Sequence, residues 1–170
     1  MAKPKKDQPA TDVDLRPAWR RDDPAIEADA VAFWRRLAIL PPGVAPEDRA
    51  KELVVAAYRK GELIGVSTAT LGRIESLRGR FAIIRGATDP VHRRTHVGIA
   101  LAVATRDLLE QWADDHPEER LAGMAGVVEN QEIAERLREP YWPVTRLGLV
   151  GHTREGRQLR VAWFRNGRVD

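Results

Sequence analysis

Apolar and polar positions along this chain change period several times, and each change marks an element. The stretch Val13–Arg20 alternates weakly, as a first strand would. Asp22-Asp23-Pro24 then reads as a helix start, with a carboxylate cap and proline just inside, and Ile26, Ala30, Phe33, Trp34 and Leu37 follow at helical spacing. Pro41-Pro42-Gly43 closes that helix, and a short helical turn is expected near Pro46–Lys51. From Leu53 the pattern is strand-like: Leu53–Tyr58, a turn at Arg59-Lys60-Gly61, Leu63–Leu71, a polar stretch Gly72–Arg80, and Phe81–Ala87, which together read as an antiparallel meander.

Asp89-Pro90 ends the third of these strands, and a basic loop leads into the clearest helix of the chain. Val97, Leu101, Ala104, Leu108 and Trp112 form its expected apolar stripe, and His116-Pro117 stops it. Leu121–Val128 is a further strand. Asn130 is placed to cap a short helix over Gln131–Arg138, and Leu147–His152 with Gln158–Phe164 read as a hairpin about Glu155-Gly156. The order predicts an α/β (α+β) domain with a single mixed, mostly antiparallel sheet of about six to seven strands flanked by helices. Residues 1–11 are expected to be a flexible tail and residues 12–170 a single domain.

Composition narrows the class. Hydrophobic residues make up 43% and charged residues 31% of the 170, which fits a globular chain able to bury a core of its own. With no cysteine, disulfides and thiolate metal sites are excluded, and a cytoplasmic setting is expected. No apolar run approaches the roughly 20 residues of a membrane span. The net charge of +3, carried mainly by arginine, suits an anionic partner such as a nucleotide phosphate or a nucleic acid. His92 and His96 are four apart, as zinc ligands on a helix would be, but Pro90 argues against a helix there and no third ligand is evident, so no metal is expected.

Three local patterns resemble the GNAT superfamily of acyl-CoA-dependent N-acyltransferases, over about Val13–Phe164. Tyr58–Leu71 (YRKGELIGVSTATL) looks like the family's hairpin between its second and third strands. Asp89–Leu101 (DPVHRRTHVGIAL) resembles its acyl-CoA loop, Arg/Gln-x-x-Gly-x-Gly/Ala. Val127–Leu137 (VVENQEIAERL) resembles its fifth strand followed by asparagine at a helix head. The loop has a physical mechanism, because free N–H groups and the dipole at a helix N-terminus favour a diphosphate, and glycines let the backbone come close. The resemblance implies acetyl-CoA or another acyl-CoA as co-substrate, held by Arg93, Arg94, Thr95, His96, Val97, Gly98 and Ala100, with the pantetheine arm along Ala87 and Thr88. His96 stands where the family has its first glycine. We expect negative φ at that position, with the imidazole turned to solvent or to a phosphate oxygen and binding that tightens as pH falls toward about 6.

The transfer needs a deprotonated amine, a polarised thioester carbonyl and a protonated thiolate. The resemblance offers Glu75 and Glu129 as candidate bases, Asn130 as a positioning residue and Tyr141 as candidate acid, since the family's usual tyrosine position is Leu137 here. Trp34, Trp112 and Trp163 read as core. The function implied is acyl transfer to a primary amine, on a small molecule or a peptide, and a homodimer is compatible with it. Two alternatives remain. One is a GNAT-fold binding or regulatory protein without turnover. The other is a basic nucleic-acid module built on Arg154, Arg157, Arg160, Arg165 and Arg168.

Overall fold

The computed structural model describes residues 12–170, and the expected tail, residues 1–11, lies outside the described residues. Eight strands form one sheet in the order β1-β2-β3-β4-β5-β8-β7-β6. They are β1 (Asp14–Pro17), β2 (Leu53–Arg59), β3 (Glu62–Ile74), β4 (Gly79–Thr88), β5 (Leu121–Val127), β6 (Tyr141–Trp142), β7 (Leu147–His152) and β8 (Gln158–Trp163). The α-helices are α1 (Pro24–Leu37), α2 (Pro46–Ala50), α3 (Val97–Asp115) and α4 (Gln131–Arg136). Strands β4 and β5 pair in parallel, and α3 is the crossover such a pair requires. Among the described residues no helix is long and apolar enough to cross a membrane.

The sheet has one strand more than expected. The additional strand, β6, is two residues long, too short to leave a periodicity. Strand β3 is also longer than its apolar run. It continues through Gly72 and Arg73 to Ile74, because ladder hydrogen bonds do not depend on side-chain polarity.

The chain forms two compact units. The first comprises the described residues through Thr68 together with Gly86–Thr105, and the second comprises Ala69–Arg85 and Arg106–Asp170. In the first, α1 starts where the sequence indicates. The Asp23 carboxylate accepts from the Ile26 N–H at 3.1 Å, and Pro24 opens the helix. It stops at Leu37, before the proline pair, with Ala38 closing it in the left-handed region at φ 50°. Ile26, Ala30, Phe33 and Trp34 pack on Leu53, Ala56, Tyr58 and Val66 of the sheet.

The first turns of α3 also belong to this unit. Val97 and Leu101 are buried as expected, but the buried line then runs through Thr105 and Leu109, while Ala104, Leu108 and Trp112 are half-buried. Thr105, 0% exposed, is admitted because its hydroxyl shares a 2.6 Å hydrogen bond with Ser67. Ser67 in turn accepts from the Val55 N–H at the irregularity in the β2–β3 ladder.

In the second unit Phe81, Ala122, Ala125 and Val161 form a core cluster. Phe164 is buried, and Trp163 is 47% exposed with its ring edge-on to Phe81 at 5.5 Å. The expectation of a core Trp163 is therefore corrected. Trp163 and Phe164 are successive residues at the end of β8, and it is Phe164 that the sheet covers. Arg160 is corrected as well. It is 1% exposed and so contributes nothing to a basic surface. Its guanidinium lies 3.6 Å from the Trp142 ring centre and donates to the carbonyls of Glu139, Pro140 and Leu147 and to the Gln158 side chain. Burial pulls its pKa down from the ordinary arginine value.

Candidate functional site

The loop between β4 and α3 lies wholly in the first unit. Asp89 turns the chain out of β4. Its N–H donates to the Ile64 carbonyl at 2.8 Å, its carbonyl accepts from the His92 N–H at 2.8 Å, and its carboxylate accepts from the Val91 N–H at 3.0 Å. The other carboxylate oxygen pairs with Arg36 of α1 at 2.8 Å. The Val91 N–H, helped by Arg36 and opposed by burial, holds the Asp89 carboxyl below its ordinary pKa. A single 3₁₀ turn, Pro90–His92, follows. The His92 Nδ1 faces the Arg59 guanidinium at 3.0 Å, and Arg59 also pairs with Asp12 at 2.8 Å. The His92 carbonyl accepts from the Thr95 hydroxyl and N–H. Both histidines precede α3, so they do not share a helix face. Among the described residues no three side chains gather as a metal site.

Two consecutive turns of backbone then enter the left-handed region, at Arg94 (φ 66°) and His96 (φ 65°). The expectation of negative φ at His96 is overturned. The connection from the 3₁₀ turn into α3 imposes a glycine-type conformation there, and the histidine takes it at a cost of about 1 kcal/mol or more. Its carbonyl accepts the Ala100 N–H at 3.0 Å, which closes the first turn of α3. Its Nδ1 is buried with no hydrogen-bond partner, which does not match an imidazole offered through that atom to solvent.

Gly98 needs no left-handed φ and is not tightly packed. A Cβ built on it would meet nothing nearer than the Thr88 hydroxyl, at 3.9 Å. Space is therefore open above the first turn of α3, with Thr88 at its margin. The close approach is at Gly65 of β3, where a Cβ would stand 2.8 Å from Leu101 Cδ1, 3.1 Å from the Ala87 carbonyl and 3.5 Å from Val97. Gly65 thus lets the N-terminal turn of α3 and the end of β4 lie flat on β3. The structure brings Ala87, Thr88, Val97 and Gly98 together, with Arg93 and Arg94 exposed on the preceding loop. Asp89 and Arg36 are the residues that sequence reasoning passed over. Asp-Pro reads simply as a strand terminator, although an aspartate ahead of a proline is also a signal for a side-chain cap.

The second unit holds the candidate acid–base residues. The β4–β5 ladder runs from Arg80↔Leu121 to Ile83↔Ala125. Glu129 follows β5, its side chain 72% exposed, with Arg157 at 3.9 Å. Asn130 caps α4, accepting the Ile133 N–H at 3.2 Å. Leu137 ends that helix. Tyr141 does not fold back toward β5. It sits on β6 opposite Gly148, which faces Val161, which faces Ala125, so it lies three strand spacings, about 14 Å, from β5. The Arg160–Trp142 stack and the Arg160 bonds to residues 139 and 140 hold this segment there. Glu75 lies in the 3₁₀ turn between β3 and β4, 80% exposed and paired with Arg73 at 2.8 Å.

No protein-family model matches the chain, and no curated protein matches it in sequence. Solved structures do. An acetyltransferase of the GNAT family from Streptococcus pneumoniae aligns with a TM-score of 0.59 at 16% identity, over 89% of this chain and 99% of its own. A putative acetyltransferase from Salmonella typhimurium, yncA, solved with its cofactor acetyl-CoA, aligns with a TM-score of 0.50 at 16% identity, over 94% and 99%. Ard1 from Thermoplasma volcanium aligns with a TM-score of 0.50 at 12% identity, over 94% and 98%. The architecture reached from the residues upward, a mostly antiparallel sheet with one parallel pair bridged by a long helix, is the GNAT acetyltransferase fold.

Proposed function

We propose that this protein is an acyl-CoA-dependent N-acyltransferase acting on a primary amine. The observation that carries the reading is the backbone at His96. The chain keeps a left-handed conformation at the position where the family's loop has its first glycine, even though a histidine occupies it. The space left open at Gly98, over the first turn of a 19-residue helix, supports the same reading.

When bound, the acyl-CoA supplies an acyl group activated as a thioester. The N–H groups of Val97 and Gly98 and the positive end of α3 attract its diphosphate, and Arg93 and Arg94 add charge that raises the local anion concentration. Thr88 offers a hydroxyl beside Gly98. In the second unit Glu129 is the candidate base for the incoming ammonium, since its carboxylate is exposed and only loosely engaged by Arg157. Water is the candidate proton source for the departing thiolate, because Leu137 has no hydroxyl and Tyr141 lies at the sheet edge. A small or peptide amine is the proposed acceptor.

Titration with acetyl-CoA tests the reading. The wild type should bind and Gly98→Glu, which sets a carboxylate into the open space, should not; equal affinity in both would refute the site. The second reading, a GNAT-fold binding protein without turnover, is favoured by one observation, the imidazole in place of hydrogen at residue 96. Binding of acetyl-CoA with no transfer to any amine in a broad panel would move it to first place.

A further inference from the structure

His92 is outside the transfer chemistry, yet its N–H, its carbonyl and its ring are all engaged. Its N–H is held by the Asp89 carbonyl at 2.8 Å, its carbonyl holds the Thr95 hydroxyl at 2.5 Å, and its Nδ1 lies 3.0 Å from an Arg59 nitrogen. A guanidinium is a permanent donor and never an acceptor. For this contact to be a hydrogen bond the Nδ1 must accept, which takes the neutral tautomer with its proton on Nε2. Arg59 is itself oriented by Asp12, so it cannot swing aside without losing that pair. His92 is thereby the tie between the β2–β3 turn and the loop that leads to the left-handed residues and to α3.

We infer that His92 is the positioning residue of this loop, that only its neutral imidazole performs the task, and that protonation releases the loop and weakens ligand binding at α3. The second half of the inference rests on the acyl-CoA reading above; the first does not. A protonated ring would present N–H to N–H and set two cations about 3 Å apart in a partly buried contact. The charged groups around it are Arg59 from the end of β2, Asp12 paired with that arginine, Lys60 in the adjoining turn, and Asp89 of the loop itself, which Arg36 of α1 already engages. Asp12 pairs with Arg59 and Asp89 with Arg36, and Asp89 also lies close enough to His92 for the two to attract when the ring is charged, an attraction that opposes the Arg59 repulsion.

Two measurements test the inference separately. Amide exchange at Val91 and Arg93, whose N–H groups close the turn onto Asp89 and Pro90, is followed without ligand from about pH 7.5 to pH 5.5 after correction for intrinsic rates. Protection should fall about tenfold in the wild type and stay level in His92→Gln, whose amide oxygen accepts from Arg59 at every pH. Arg59→Met should lower protection at all pH values and flatten its slope. An equal slope in wild type and His92→Gln, or none in the wild type, overturns the positioning role. The second measurement is binding of dephospho-CoA, a probe without the phosphate monoester that would itself titrate near pH 6. Its affinity should fall about tenfold over the same range in the wild type and in His96→Asn, and should stay constant in His92→Gln. Absence of dephospho-CoA binding at every pH, with the exchange result intact, overturns the acyl-CoA reading and leaves His92 as the tie of the loop.

Discussion

Replacing His96 with glycine removes an imidazole from a residue held at φ 65°. The left-handed conformation costs an L-residue about 1–2 kcal/mol, and glycine nothing. The buried Nδ1 has no hydrogen-bond partner, and a polar atom left in that state costs about 1–3 kcal/mol. Against these stand the packing of a half-buried ring and the larger conformational freedom of glycine in the unfolded chain, about 0.5–1 kcal/mol. The net expectation is stabilisation by about 1 kcal/mol, or a rise in Tm of about 2–4 °C for a chain of this length. Comparison with His96→Ala removes the ring's packing from the balance. Both variants lose the ring, and they differ only in Cβ and backbone freedom. At a position of ordinary φ alanine is the more stable by about 0.5–1 kcal/mol, whereas at this one glycine should be the more stable by about 1 kcal/mol. Urea denaturation of the two variants measures that sign. An alanine variant at least as stable as the glycine variant would refute the strained conformation, and with it the main support for the functional reading.

Other outcomes follow from the same geometry. Gly65→Ala should cost about 1–3 kcal/mol in urea unfolding, since the added methyl meets Leu101 and the Ala87 carbonyl at once; a neutral substitution would mean that α3 does not lie against β3 as described. Asp89 has a lowered pKa in the folded state, so its contribution is present above its unfolded value of about 3.9 and is lost as pH falls through the folded one. The stability gap between wild type and Asp89→Ala should therefore close on acidification below about pH 4, and a gap independent of pH would contradict the assignment. Glu129→Gln should lower kcat by about 10²–10⁴ with an amine found by screening, while the affinity for acetyl-CoA holds; an unchanged kcat removes Glu129 as the base.

Much of the fold was legible because its signals are local. The Asp23-Pro24 start of α1, the Arg59-Lys60-Gly61 turn and the Asn130 cap each rest on a few neighbouring residues, and each stands where the sequence indicates. What sequence alone concealed is tertiary. Thr105 reads as polar, and only the hydroxyl of Ser67, 38 positions away, makes it a core residue. Arg160 reads as one more surface arginine until three backbone carbonyls and the Trp142 ring are seen around it. At the candidate site the loop's position was evident from its strand–basic loop–helix order. The conformation of His96 was not, because the residue type argues for one φ and the connection into α3 imposes the other. Tyr141 was offered as an acid because sequence distance from Asn130 says nothing of the strand that carries it to the sheet edge.

The most direct measurement is a calorimetric titration of acetyl-CoA into the wild type, Gly98→Glu and His96→Gly. The account predicts saturable one-to-one binding in the wild type, its loss in Gly98→Glu, and equal or tighter binding in His96→Gly. No binding to wild type or to His96→Gly at millimolar acetyl-CoA would contradict the assignment of the loop as an acyl-CoA site.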